Sequence, residues 1–383
     1  MSFRRAAQVV ALSLLIAPLA ACAQPVQRDC VPAEAAFNPA GWQTDFCQAS
    51  VDLGEIRAGG PPRDGIPPID EPRFVPAGEA DAWLEDREPI LFFEHNGDAR
   101  AYPIQVLMWH EIANDVVGGT PVTVTFCPLC HAALVFVRPE VQGEVLTFGT
   151  SGNLRKSDLV MWDRQTESWW QQFGGEAIVG ELTGMTLELL PSSLIAWETF
   201  RERHPAGDVL SRHTGHDRPY GRNPYVGYDD VDRGPFLYDG PVGDALRPMD
   251  RIVGVEVGDA ARAYPLTAIR QRGAVNDELG GTPLAILWTP GTASSLDDAQ
   301  IARGRDVGSE AAFDRRLGEH TLTFETAGDG RFRDAETGST WTIFGEAVAG
   351  PLRGERLQAI PHHSIFWFVW SAFMPEGEFD PLD

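Results

Sequence analysis

Two thiols and an imidazole stand together at Cys127-Pro128-Leu129-Cys130-His131. Cysteines at Cys-x-x-Cys spacing can close a short disulfide, supply half of a tetrahedral metal site, or, with the following His, attach a c-type haem. The preceding run, Val122-Thr123-Val124-Thr125-Phe126, alternates as a strand does, so both thiols are expected at a strand's end. Upstream, His110 and Glu111 are expected near the end of a short helix from Ile104 to Ile112, where they can act as base and orienting group for a thiol. The catalytic candidates are therefore Cys127, Cys130, His110 and Glu111. The candidate metal ligands are Cys127, Cys130, His110 and His131, a donor set suited to copper or zinc. Successive strand side chains face opposite ways, so His110, folded back by the turn from Asn114 to Pro121, is expected nearer Cys127 than His131 is. The plainer alternative makes His110 and Glu111 ordinary polar groups on a helix end rich in Trp and Met. His213 and His216 sit on a loop, where histidines are mostly solvated, and they carry little weight.

The other cysteines set the compartment. Arg4 and Arg5 precede an apolar run from Ala6 to Ala21, and Leu19-Ala20-Ala21-Cys22 resembles a bacterial lipobox. Residues 1–22 are thus expected to be an export signal, with a lipid on Cys22 as the membrane attachment; a soluble secreted protein is the alternative. Either way the body is expected outside the cytoplasm; in the lipid-anchored reading it sits in the cell envelope, facing the periplasm or exterior. Residues 23–50 form a lead-in in which Cys30 and Cys47 are expected to make a structural disulfide. A bridge between Cys127 and Cys130 would close too short a loop to add much chain-entropy stabilisation, which favours a working role for that pair. Cys-Pro-x-Cys after a strand resembles the active-site motif of glutaredoxin-like proteins, and for a redox reading that resemblance implies Cys127 as the nucleophile and Cys130 as the resolving thiol.

A chain of 383 residues with 43% hydrophobic residues can build real cores, and its net charge of -24 argues against nucleic acid or an anionic membrane surface as partner. Lys156 is the only lysine. Alternating short apolar runs, a hairpin turning at Asn96-Gly97-Asp98, and helices only near Ile104–Ile112, Leu194–His204 and Ile365–Phe373 make the class α+β and β-rich. The Gly- and Pro-rich stretch from Val51 to Pro76 is expected to hold no regular elements.

Self-similarity organises the rest. Arg100-Ala101-Tyr102-Pro103 returns as Arg262-Ala263-Tyr264-Pro265, and Asn114-Asp115 as Asn276-Asp277. Asp163, Thr166, Ser168 and Trp170 return as Asp334, Thr337, Ser339 and Trp341. Two tandemly duplicated domains are expected, 51–204 and 251–383, joined by a Tyr/Gly/Pro-rich segment, 205–250, that is a connection or else a lid. Residues kept in both copies serve the fold. Residues in the first copy alone are the candidates for function: Cys127, Cys130 and His131 face Thr289, Thr292 and Ala293, His110-Glu111 faces Arg272-Gly273, and Ser151 to Asp158 falls where the second copy is shorter.

With these motifs the chain resembles a bacterial and archaeal family catalogued as domain of unknown function 3179. The likeness runs from about Gly59 to the C-terminus and is carried by Gly59 to Pro67, Arg100 to Pro103, His110 to Asp115, Phe126 to Cys130, Ser151 to Leu154 and Asp163 to Thr166. It implies paired cysteines with a variable next position and relatives with selenocysteine in the motif, which gives redox chemistry weight and makes His131 dispensable. It implies no fold or activity. The functional expectation is an extracytoplasmic lipoprotein with a thiol–disulfide redox or thiolate–metal centre and, if an enzyme, a thiol- or metal-dependent oxidoreductase with an electron or thiol partner. The alternatives are a noncatalytic binding module with a fixed Cys127–Cys130 disulfide, or haem held through Cys127, Cys130 and His131; a strand instead of a helix before the motif disfavours haem.

Overall fold

The structure is a computed structural model that describes residues 30–382; the expected export signal and Cys22 lie outside them. Strands β1 (Pro89–His95) and β2 (Asp98–Pro103) form an antiparallel hairpin around Asn96-Gly97. Both turn residues have positive φ, 49° and 80°, as a two-residue hairpin turn requires. Pro103 ends the strand and leads into α1 (Ile104–His110), almost wholly buried. Next come β3 (Ile112–Val117), β4 (Thr120–Cys127) and β5 (Ala132–Val137), paired in chain order with Leu189–Leu190 at the far edge. A third sheet is built on β6 (Phe148–Arg155) and β7 (Asp158–Asp163), flanked by Ile56–Ala58 on one side and by Trp169–Gln171 and Ala177–Val179 on the other.

Beyond α2 (Trp197–Arg203) and an irregular stretch, the same order of elements recurs. It comprises β8 (Arg251–Val257), β9 (Ala260–Pro265), α3 (Leu266–Arg272), β10 (Ala274–Leu279), β11 (Thr282–Thr289) and β12 (Ser309–Asp314). A four-stranded sheet from Phe324 to Ala349 follows, and β13 (His362–Phe366) and α4 (Trp367–Phe373) come near the end. The protein is β-rich with few helices and several small sheets. One apolar core joins both halves, holding Val124 and Phe126 of β4 together with Phe366, Phe368 and Trp370.

Some boundaries differ from expectation. Helices α2 and α4 begin at Trp197 and Trp367 because Ser193–Ala196 pairs with β1 and His362–Phe366 pairs with β8. Helix α3 was not expected. The Val51–Pro76 stretch holds two three-residue strands, Ile56–Ala58 against β6 and Phe74–Pro76 against Asp208–Leu210; neighbours hold so short a segment, so composition conceals it.

Repeated residues make the same bonds in both places. The Trp170 indole donates to Asp163 at 2.8 Å and the Trp341 indole to Asp334 at 2.9 Å, with neither Trp exposed. Tyr102 donates to Asp115 and Tyr264 to Asp277, each at 2.6 Å. Asn114 exchanges two bonds with the Phe148 backbone, and Asn276 does so with Phe324. Truncating either Trp empties a large core volume and strips a buried carboxylate of a donor. Urea unfolding of Trp170→Ala and of Trp341→Ala should each show a loss of about 3–5 kcal/mol; a loss below about 1 kcal/mol would contradict the packing role.

Candidate functional site

The Cys-x-x-Cys motif is the loop of the β4–β5 hairpin. Cys127 pairs with Ala132 across the hairpin, and the chain between them turns tightly, with the Cys130 amide donating to the Cys127 carbonyl and the His131 amide to the Pro128 carbonyl, both at 3.3 Å. Such winding places both sulfurs on one side. They are free thiols, 2% and 0% exposed, and both point toward the Ser157 carbonyl, with Cys130 Sγ at 3.5 Å and Cys127 Sγ at 4.0 Å.

That carbonyl belongs to the turn joining β6 to β7, where Arg155 pairs with Asp158 and leaves Lys156-Ser157 as a two-residue loop. Both loop residues have positive φ, 51° and 67°, a conformation that usually selects Asn and Gly. The Lys156 ammonium fastens the turn by donating to the Ala372 carbonyl at 2.9 Å. Asp158, with no exposed surface, follows the turn directly. Its Oδ2 accepts from Gln171 and from the Phe173 amide at 2.8 Å, while Oδ1 has no nitrogen or oxygen partner among the described residues. The two sulfurs and an Asp158 oxygen all lie within 4.8 Å of one another.

Glu111 lies alongside. It closes α1, donating its amide to the Leu107 carbonyl, and its own carbonyl accepts from Phe126 at 2.8 Å. Its backbone sits at φ 58°, ψ -30°, unfavourable for a residue with a Cβ. At the equivalent end of α3 the same conformation, φ 73°, ψ -34°, is taken by Gly273, with matching amide and carbonyl bonds. A glutamate where glycine is the natural choice costs on the order of 1–3 kcal/mol in backbone strain. Its side chain, 8% exposed, has no hydrogen-bond or ion-pair partner among the described residues.

Burial governs the electrostatics. It lifts the Asp158 carboxyl to about 6 against the pull of the Phe173 amide, Gln171 and the two thiols. Burial and the nearby Asp158 lift Glu111 to about 8. Both thiols are raised too, chiefly by burial and further by Asp158. No cation offsets this among the described residues: neither Asp158 nor Glu111 has an ion pair. A reactive thiolate needs an electropositive setting, and here the setting is acidic.

The two histidines lie elsewhere. His110 is fully buried, its Nδ1 donating to the Pro67 carbonyl and its Nε2 accepting from the Tyr220 hydroxyl, both at 2.7 Å, and burial holds it near 4. His131, at φ 58°, turns away toward the second half, where Nδ1 donates to the Ser364 carbonyl at 3.0 Å and the ring meets Phe366. The structure thus gathers Cys127, Cys130 and Glu111 of the sequence candidates and engages both rings in other bonds. A haem ligated through His131 would need that ring on the sulfur side. The His216 ring meets His110 at a tilt, with centroids 5.6 Å apart, and joins no thiol cluster among the described residues. Asp158 was missed as a site residue. The signal for it was present, since the Ser151–Asp158 segment falls where the second half has a shorter hairpin, Phe324–Gly328 paired with Arg331–Asp334.

These features define a β-rich protein with a buried thiol–carboxylate cluster in a hairpin loop. A family model described as "Protein of unknown function (DUF3179)" matches residues 63–377, and the chain belongs to that family. No curated protein and no solved structure matches it.

The Glu111 environment gives a pH test on metal-free protein. A carboxyl raised in the fold keeps its proton while the unfolded chain loses one, so stability falls as pH rises from the unfolded value near 4.5 to the folded value near 8. Glu88 is raised to about 7, Asp158 to about 6 and Glu310 is raised as well, whereas the lowered His110, His131, His204 and His362 are largely neutral in both states above about pH 7, so the part of the drop that Glu111→Gln removes reports Glu111 between about pH 7 and 8. Chemical unfolding should show wild-type stability dropping by about 1 kcal/mol across that interval, and Glu111→Gln should flatten the drop. An identical slope in the variant would contradict a buried, unpaired Glu111.

Proposed function

We propose that this chain is a metalloprotein in which Cys127, Cys130 and Asp158 hold one zinc ion. The observation that carries the reading is the approach of three buried ligand atoms within 4.8 Å, with no ion pair to Asp158 or Glu111 among the described residues. A buried acidic group without a cationic partner is neutralised by a proton or by a metal ion, and two thiolates with one carboxylate suit a borderline ion such as zinc better than copper(I), which prefers all-soft donors. Cys127, Cys130 and Asp158 would supply three ligands to a bound zinc ion, which would hold the thiols deprotonated. Thiol–disulfide exchange between the adjacent sulfurs is the competing chemistry, and the acidic surroundings count against it.

The rest of the reading joins this. The Cys30–Cys47 disulfide supports an oxidising compartment, consistent with export and a lipid on Cys22. The paired bonds of Asp163/Asp334, Asp115/Asp277 and Asn114/Asn276 support a tandem duplication whose second copy carries no Cys-x-x-Cys site.

Reduced protein loaded with zinc, copper or cobalt and read by native mass spectrometry and chelator competition tests this. One zinc per chain is expected, with cobalt giving thiolate charge-transfer absorption. Cys127→Ser and Asp158→Asn should each weaken zinc by about 100-fold or more while leaving circular dichroism intact, and His110→Ala and His131→Ala should retain the metal. A chain that holds no metal and instead cycles a Cys127–Cys130 disulfide would replace this reading with the redox one.

A further inference from the structure

Glu111 is also the floor of a cavity of about 280 Å³. Three separated stretches enclose it: the Gly59–Ile66 loop, the β6–β7 hairpin, and the Tyr225–Phe236 part of the segment between the halves. The loop and hairpin meet closely, for a Cβ on Gly152, at φ 78°, would lie 2.2 Å from the Pro61 carbonyl oxygen. The outer wall is pinned to the motif itself. The Tyr228 hydroxyl donates to the carbonyl of Leu129, between the two cysteines, at 3.1 Å, and accepts from the Phe236 amide at 3.0 Å.

The lining is largely apolar and aromatic, with Leu154, Tyr225, Tyr228 and Phe236 around the space and Phe236, 46% exposed, at its rim. Three polar side chains line the cavity and are more than nine-tenths buried: Thr150 donates its hydroxyl to the Ile66 carbonyl at 2.8 Å, while Glu111, at 8% exposure, and Asn153, at 7%, have no protein partner for their side chains among the described residues. Asn153 is directed there by a bulge, since the β6–β7 register shifts between Thr150 and Asn153. An unpaired carboxyl and an unpaired amide, both buried in one cavity, call for a ligand group that donates and accepts at once. A hydroxyl does both; an ammonium would satisfy Glu111 and leave the Asn153 donor idle. On size, an apolar cavity of about 150 Å³ takes benzene, so this one has room for a substituted ring.

We infer that the cavity receives a small phenol-class molecule, its ring among Leu154, Tyr225, Tyr228 and Phe236 and its hydroxyl between Glu111 and Asn153. The inference rests on the metal-centre reading in taking the cavity as the approach to that centre; the cavity and its unpaired groups stand independently of it.

Calorimetric titration of the full mature chain, with and without zinc, against para-cresol, toluene and benzylamine tests the assignment. Para-cresol should bind at least tenfold more tightly than either other probe, and Leu154→Trp, which fills the cavity, should weaken it at least tenfold. Should Leu154→Trp fail to fold, Phe236→Ala at the exposed rim should still weaken para-cresol several-fold. Toluene binding as tightly as para-cresol, benzylamine binding more tightly, no binding of para-cresol, or indifference to the folded cavity variant would each overturn the inference. Wild-type protein that binds para-cresol but retains no zinc would overturn the metal reading alone.

Discussion

Acidic groups taken out of water must be neutralised by something, and beside Cys127 and Cys130 neither Asp158 nor Glu111 has an ion pair to do it among the described residues. Removing a carboxylate from water without a counter-charge has a penalty of several kcal/mol. The fold keeps Asp158 and Glu111 beside two thiols all the same, and each sits on backbone that a stability-driven sequence would fill differently: Glu111 on a glycine conformation, Asp158 after a Lys156-Ser157 turn with both φ values positive. Local rules broken together at one place, with no compensating contact, mark function more firmly than the cysteine spacing does alone. Proton retention or a cation are the two ways to relieve such a cluster.

The supporting structure follows from that cluster. The hairpin loop winds the motif so that its sulfurs face the next sheet, and that sheet's own turn returns the carbonyl and carboxyl to meet them. Behind the loop, the second half supplies backing: the Phe366 amide donates to the Cys130 carbonyl at 3.3 Å, and His131 is held by Ser364. A half that has Thr289 and Pro290 where the first has its thiol and proline thus still braces the site.

Much of this was legible in the chain. Alternation from Val122 to Phe126, the Asn96-Gly97 turn and the repeated Asp-x-x-Thr-x-Ser-x-Trp pattern each express a local rule, strand pleat, hairpin twist and buried indole donor, and each is found in the fold. What was not legible depends on contacts distant in sequence. Nothing near His110 announces that Pro67 and Tyr220 take both its nitrogens, and nothing near Asp158 places it beside Cys130. His131 does face away from the sulfurs, as strand alternation suggested, but the cause is that the motif is a turn and not a continued strand. Comparing the two halves came closest, since Glu111 against Gly273 and the longer Ser151–Asp158 segment are differences that only the first half's chemistry explains.

The hairpin turn that carries Asp158 has one more property, set by composition. Lys156 is the sole lysine of the chain, and its ammonium is partly buried against the Ala372 carbonyl and near the Phe373 ring. The protein's only side-chain amine therefore stands two residues from the carboxylate of the cluster. An amine-directed fluorophore or isotope label would go to that turn and to no other side chain, giving a spectroscopic reporter placed by nature at the edge of the site.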